Sequence, residues 1–232
     1  NDKPFSYFYF VSSDFGKSMM RKLLFFVICY LSIFSYHPVQ SQQIEWQKRF
    51  GGTANQLGYY FSATADGGFI VSATTDGNDS VVTGSHGDVD IWVFKTDSTG
   101  NIIWQKCLGG SNADFGYNIL QTQDDGYILL SGTFSNDGDV SGFHGGSTDI
   151  WVVKLDSIGN IEWQRCYGGS NLEEPGSIIL TGSGYIFVGA TNSNDGDVTN
   201  YQGLGRDIWM VATDFSGTIL WQQCLPQIND DR

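Results

Sequence analysis

The chain has 232 residues, 25 acidic against 12 basic side chains and a formal net charge of −13. So acidic a chain has no general grip on a phosphate backbone, which excludes nucleic acid as an expected partner. Its 15% aromatic and 16% charged residues argue against disorder, and its 30 glycines lack a collagen period.

Residues 1–18 precede Met19 and read as upstream read-through or a fragment. Residues 19–41 read as a signal peptide. Arg21 and Lys22 form the basic start, Leu23 to Phe34 the apolar run, and Val39 and Ser41 suit the last positions before a cleavage site. The run is well short of the about 20 residues a membrane span needs, so no span is expected in a mature chain starting near Gln42. The leader holds Lys3, Lys17, Arg21 and Lys22 against Asp2 and Asp14, so export makes the remainder more acidic.

From residue 42 onward a repeat organises the chain. Trp46, Trp104, Trp163 and Trp221 recur at spacings of 58, 59 and 58, and Trp92, Trp151 and Trp209 at 59 and 58. All seven tryptophans therefore lie in two columns. Gln47, Gln105, Gln164 and Gln222 follow the first column, and Asp90, Asp149 and Asp207 stand two residues before the second. A leading strand is expected over 44–50, then units over 53–107, 111–166 and 170–224. In the second unit the expected strands are 117–123, 127–133, 149–155 and 161–167. Turn signals separate them at Asp124-Asp125-Gly126 and Asp156-Ser157-Ile158-Gly159-Asn160. Four short antiparallel strands per unit match the size of a β-propeller blade. Continuous apolar runs such as Ile150-Trp151-Val152-Val153 suit sheets buried on both faces. The expected fold is all-β, a propeller-like array of about three blades plus one extra strand, fewer than the typical 4 to 8 blades of a closed ring. Exposed blade edges are expected to favour self-association.

The string Asp149-Ile150-Trp151-Val152-Val153-Lys154-Leu155-Asp156, followed by Gly159-Asn160, Trp163 and Gly168-Gly169, resembles the β-propeller repeats of secreted bacterial proteins. The resemblance covers about 44–225. It implies an exported or cell-surface scaffold that binds a protein or a glycan and is not an enzyme. Asp97-Ser98-Thr99-Gly100-Asn101-Ile102-Ile103-Trp104 is also similar to the tryptophan-docking motif of quinoprotein-like propellers, which leaves an envelope assembly scaffold as one alternative. A fragment of a secreted propeller enzyme, such as a glycan-active hydrolase, is the other.

The residues that could carry chemistry are few. Asp137 and Asp139, with Asp195 and Asp197, sit in Asn-Asp-Gly-Asp loops and are the calcium candidates, since hard cations take carboxylate and carbonyl oxygens. The competing reading is that they satisfy their own turn backbone. No other cofactor is expected. His86 and His144 share a column and are expected to hydrogen-bond structurally. Cys107, Cys166 and Cys224 share a strand position and are expected to be buried free thiols. Trp46, Trp92, Trp104, Trp151, Trp163, Trp209 and Trp221 are expected to dock one unit on the next. Glu173-Glu174-Pro175 is the one local break in the pattern where paired acids could act. No Gly-x-Ser-x-Gly, phosphate loop or His-Glu-x-x-His is present.

Overall fold

A computed structural model describes residues 45–203 and 205–225. The expected signal peptide over 19–41 and the 1–18 segment lie outside these residues. The described chain is all-β, built from twelve strands in three four-stranded antiparallel sheets. The first sheet holds β1 (Gln56–Ala63), β2 (Phe69–Thr75), β3 (Asp90–Thr96) and β4 (Ile102–Leu108). The second holds β5 (Asp114–Gln121), β6 (Tyr127–Thr133), β7 (Asp149–Leu155) and β8 (Ile161–Tyr167). The third holds β9 (Glu173–Leu180), β10 (Gly184–Thr191), β11 (Asp207–Asp214) and β12 (Ile219–Leu225). Strands pair in chain order within each sheet. Among the described residues no helix is long and apolar enough to cross a membrane.

The sheets match the expected units, and β6, β7 and β8 match the expected spans. Two expectations differ. β5 runs Asp114–Gln121 instead of the expected 117–123: it begins earlier because Asp114 pairs with Thr133 and Gly116 with Ser131 beyond a bulge, and its last pair is Gln121 with Tyr127. Its start reads as loop in sequence because the side chain that opens it is a carboxylate. Residues 45–50 form no strand, although 44–50 reads as one. Each sheet draws its four strands from its own repeat.

The second sheet is buried on both faces, and every residue of β6 and β7 is buried. Leu129, Trp151 and Val153 meet Ile70, Ile91 and Val93 of the first sheet. Ile128, Ile150 and Val152 meet Ile178, Phe187 and Trp209 of the third. This two-sided burial explains the unbroken apolar runs, since a sheet wet on one face alternates. Burying a core aliphatic side chain stabilises by about 1.5–3 kcal/mol, so the two interlayer cores supply much of the cohesion.

The β7–β8 hairpin meets the preceding sheet. Asp156 Oδ1 accepts the backbone N–H groups of Ile158 and Asn160 and closes its own turn. Gly159 sits there at φ 84°, and a Cβ at this position would lie 2.7 Å from Trp104 of the preceding sheet. Only glycine supplies both the backbone angle and the space.

Candidate functional site

Each Asn-Asp-Gly-Asp loop clasps the Gly-Gly turn that ends the last strand of the preceding sheet. Asp137 Oδ1 accepts the Ser111 N–H at 2.7 Å, and Asp139 donates its N–H to the Gly109 carbonyl at 2.9 Å. One repeat later, Asp195 Oδ1 accepts the Ser170 N–H at 2.7 Å, and Asp197 donates its N–H to the Gly168 carbonyl at 2.8 Å. Backbone donors hold Asp137 and Asp195 below the usual carboxylate range, from Ser111 and Ser170 respectively. Gly138 and Gly196 both adopt φ 62°, close against the Gly109 and Gly168 carbonyls. The first acid of each loop is therefore engaged as a turn cap. Among the described residues no three His, Cys, Asp or Glu side chains converge in a metal-binding group.

The histidines connect repeats. His144 donates its backbone N–H to Asp149 Oδ2 at 2.9 Å and places ring Nδ1 2.7 Å from the same oxygen. Its Nε2 lies 3.5 Å from Asp197 Oδ2 in the next repeat. His86 does the same more loosely, with Nε2 3.8 Å from Asp139 Oδ2 and its backbone N–H on Asp90 Oδ2.

A polar column lies behind them, buried at Asp114 and Glu173, and sequence reading misses it. Gln56, Asp114 and Glu173 occupy equivalent positions, and each accepts the N–H of the preceding Gly-Gly turn, from Gly52, Gly110 and Gly169. Glu173 thus belongs to a column rather than breaking one. It also accepts the Thr191 hydroxyl at 2.7 Å, while Glu174 points away to Arg206 Nη1 at 2.5 Å. The two acids do not converge. Glu173 and Asp149 approach each other across Gly168: a Cβ there would lie 2.5 Å from one carboxylate and 2.9 Å from the other. Burial pushes Asp149 up to about 6, with the Glu173 charge adding to it and the His144 hydrogen bonds opposing it. Burial likewise raises Asp114, against hydrogen bonds from Thr133, Gly110 and Ser135. The shared signal is polar identity at a fixed place in the repeat, which a column of Gln, Asp and Glu conceals.

The tryptophan columns divide by burial. Trp92, Trp151 and Trp209 are buried, and each indole N–H donates to the glutamine of the neighbouring strand: Gln105 at 2.9 Å, Gln164 at 2.6 Å and Gln222 at 2.8 Å. Trp104 and Trp163 are half-buried. Trp104 meets Tyr127 at 5.6 Å and donates to the Ser157 carbonyl at 3.2 Å, both in the following repeat. Trp163 meets Tyr185 at 6.1 Å. Trp221 and Trp46 are exposed. Cys107, Cys166 and Cys224 are buried and free. Burial first, then nearby carboxylates, push Cys107 up to about 12 and Cys224 up to about 11, so these sulfurs stay thiols.

One cleft departs from the repeat. It lies between the second and third sheets, has a volume of about 570 Å³, and is walled by Trp163, Tyr185 and Phe215 beside Asp124, Lys154 and Glu162. Tyr185 and Phe215 meet edge to face at 5.8 Å. Lys154 Nζ lies 3.0 Å from Asp124 and 2.8 Å from Glu162. Burial works against the charge on Asp124, but the Thr122 hydroxyl and the Lys154 ammonium outweigh it and hold Asp124 at about 2. Glu162 stands where Ile103 and Leu220 precede their tryptophans and where Glu45 precedes Trp46, and Phe215 replaces Ser98 and Ser157. Neither stands out in the sequence, because each occupies an exposed turn or strand position.

No family model matches the chain. The chain is 27% identical over 164 residues to the regulatory protein FlaEY of Caulobacter vibrioides (strain ATCC 19089 / CIP 103742 / CB 15). That similarity covers 66% of this chain but only 17% of the length of FlaEY.

Proposed function

We propose that the chain is an exported, non-catalytic scaffold of the β-propeller repeat type that binds a glycan at the Trp163–Tyr185–Phe215 cleft. The stacking of four-stranded sheets through the same faces at both joints supports the propeller reading, as does the repeat resemblance. The apolar run at Leu23–Phe34 supports export to the cell surface or the medium.

The observation that carries the ligand reading is that Phe215, a departure from the repeat, joins Glu162 and Trp163 on one cleft. Aromatic faces stack on the C–H faces of a sugar ring, while carboxylate acceptors and an ammonium donor suit its hydroxyls. The same geometry favours binding over glycoside hydrolysis. A general acid needs a raised pKa, whereas Asp124 sits at about 2 against Lys154.

The test is quenching of tryptophan fluorescence by soluble oligosaccharides of glucose, galactose and N-acetylglucosamine. Saturable quenching by at least one series is expected, weakened about tenfold, or ~1.4 kcal/mol, in Phe215→Ser, which restores the residue of the other repeats. Absence of binding by all three, or binding indifferent to Phe215→Ser, contradicts the reading.

A further inference from the structure

Each internal joint repeats one contact. Ile91 of β3 shares a core with Ile119 of β5, and Ile150 of β7 shares one with Ile178 of β9. All four are at most 2% exposed. The column that supplies the first partner ends at Ile208 in β11, which is 55% exposed. The column that supplies the second begins at Phe61 in β1, which is 67% exposed. Phe61 stands opposite Val71, as Ile119 stands opposite Leu129, so it projects from the equivalent face. Among the described residues, the outer faces of the first and third sheets thus carry the two unpaired halves of a contact made twice between the sheets. Leu225, 41% exposed, extends the open face on the third sheet, where its counterparts Leu108 and Tyr167 are buried.

The polar part of the joint changes in step. Inside the array, His86 faces Asp139 and His144 faces Asp197 across the joints. At the two ends the histidine position holds Gln202 and the aspartate position holds Val81. A joint between the ends therefore strands neither a histidine nor a carboxylate. Both members of the pair are absent together, which suits apolar surfaces that meet each other.

We infer that a second copy of this chain docks head to tail, its first sheet seated on the open face of the third. The contact continues the internal stacking, using a different surface on each partner, and is heterologous rather than two-fold. A contiguous exposed apolar face of this kind is the usual mark of an association surface.

Sedimentation velocity of the full chain across the micromolar range tests this with Phe61→Glu, Ile208→Glu and an equimolar mixture of the two. Both positions are exposed, so each variant keeps the wild-type far-UV spectrum and dilute melting temperature. The wild-type chain is expected to associate with rising concentration, and each variant alone to sediment as a monomer. The mixture is expected to recover a dimer, because each variant retains one intact half of the contact. A wild-type chain that stays monomeric overturns the inference, as does a mixture with no dimer. Association that survives both substitutions also overturns it, and assigns the contact to another surface such as the apolar Leu23–Phe34 run.

Discussion

Ile150 and Ile208 hold the same position in successive repeats, yet one is fully buried and the other 55% exposed. Trp163 and Trp221 form a similar pair: the first lies against Tyr185 of the next repeat, the second is 46% exposed. The second sheet and the third thus carry nearly the same pattern in different surroundings. A repeat specifies a surface, and its neighbour decides how much stability that surface contributes. The buried aspartates before the second tryptophan column also differ in their partners. Asp149 is held between the His144 of its own repeat and the Glu173 of the next, whereas its third-repeat counterpart Asp207 accepts the Gln202 N–H, where no histidine stands.

The sharpest way to break this comparison is to truncate the tryptophans. Trp151 is fully buried between the first two sheets, so Trp151→Ala should cost about 3–5 kcal/mol. Trp221→Ala, at the uncovered end, should stay within about 0.5 kcal/mol in dilute solution. Urea unfolding of both variants checks the contrast, and equal costs break it.

A smaller effect concerns pH. Asp149 has its folded-state pKa raised to about 6, chiefly by burial. A raised carboxyl pKa means the folded state holds a proton that the unfolded chain has already released. The associated stability is complete below the ordinary carboxylate pKa and is lost as pH rises from there through about 6. The amide in Asp149→Asn cannot titrate, so this variant should gain on the wild type by on the order of 2 kcal/mol between pH 4 and pH 7. The exposed aspartates that are held low, such as Asp97 and Asp124, titrate alike in both proteins and cancel. A difference that stays flat across this range contradicts the buried-acid account.

Much of the fold was legible because the repeat is written in large residues. Two tryptophan columns and the Gly-Gly turns mark the strand ends, so the spans of β6, β7 and β8 follow directly from the pattern. The buried thiols were legible too, since Cys107, Cys166 and Cys224 share one strand position. The site was harder. The Gln56–Asp114–Glu173 column reads as a run of unlike polar residues, although each member accepts the same turn N–H. The aspartates of the Asn-Asp-Gly-Asp loops invited a cation, but which donor they meet depends on the Gly-Gly turn one repeat back. The Trp163–Tyr185–Phe215 cleft was invisible because Glu162 and Phe215 are distant in sequence and line one cleft only where the second sheet faces the third.

The central claim is that one repeat position carries stability only where a neighbouring sheet covers it. Urea unfolding of Ile91→Ala, Ile150→Ala and Ile208→Ala, at concentrations where the chain is monomeric, tests it most directly. The first two substitutions empty covered positions and should each cost about 2–5 kcal/mol, while Ile208→Ala should cost under about 1 kcal/mol. Three similar losses would contradict the account, because the exposed isoleucine would then be contributing as much as its covered counterparts.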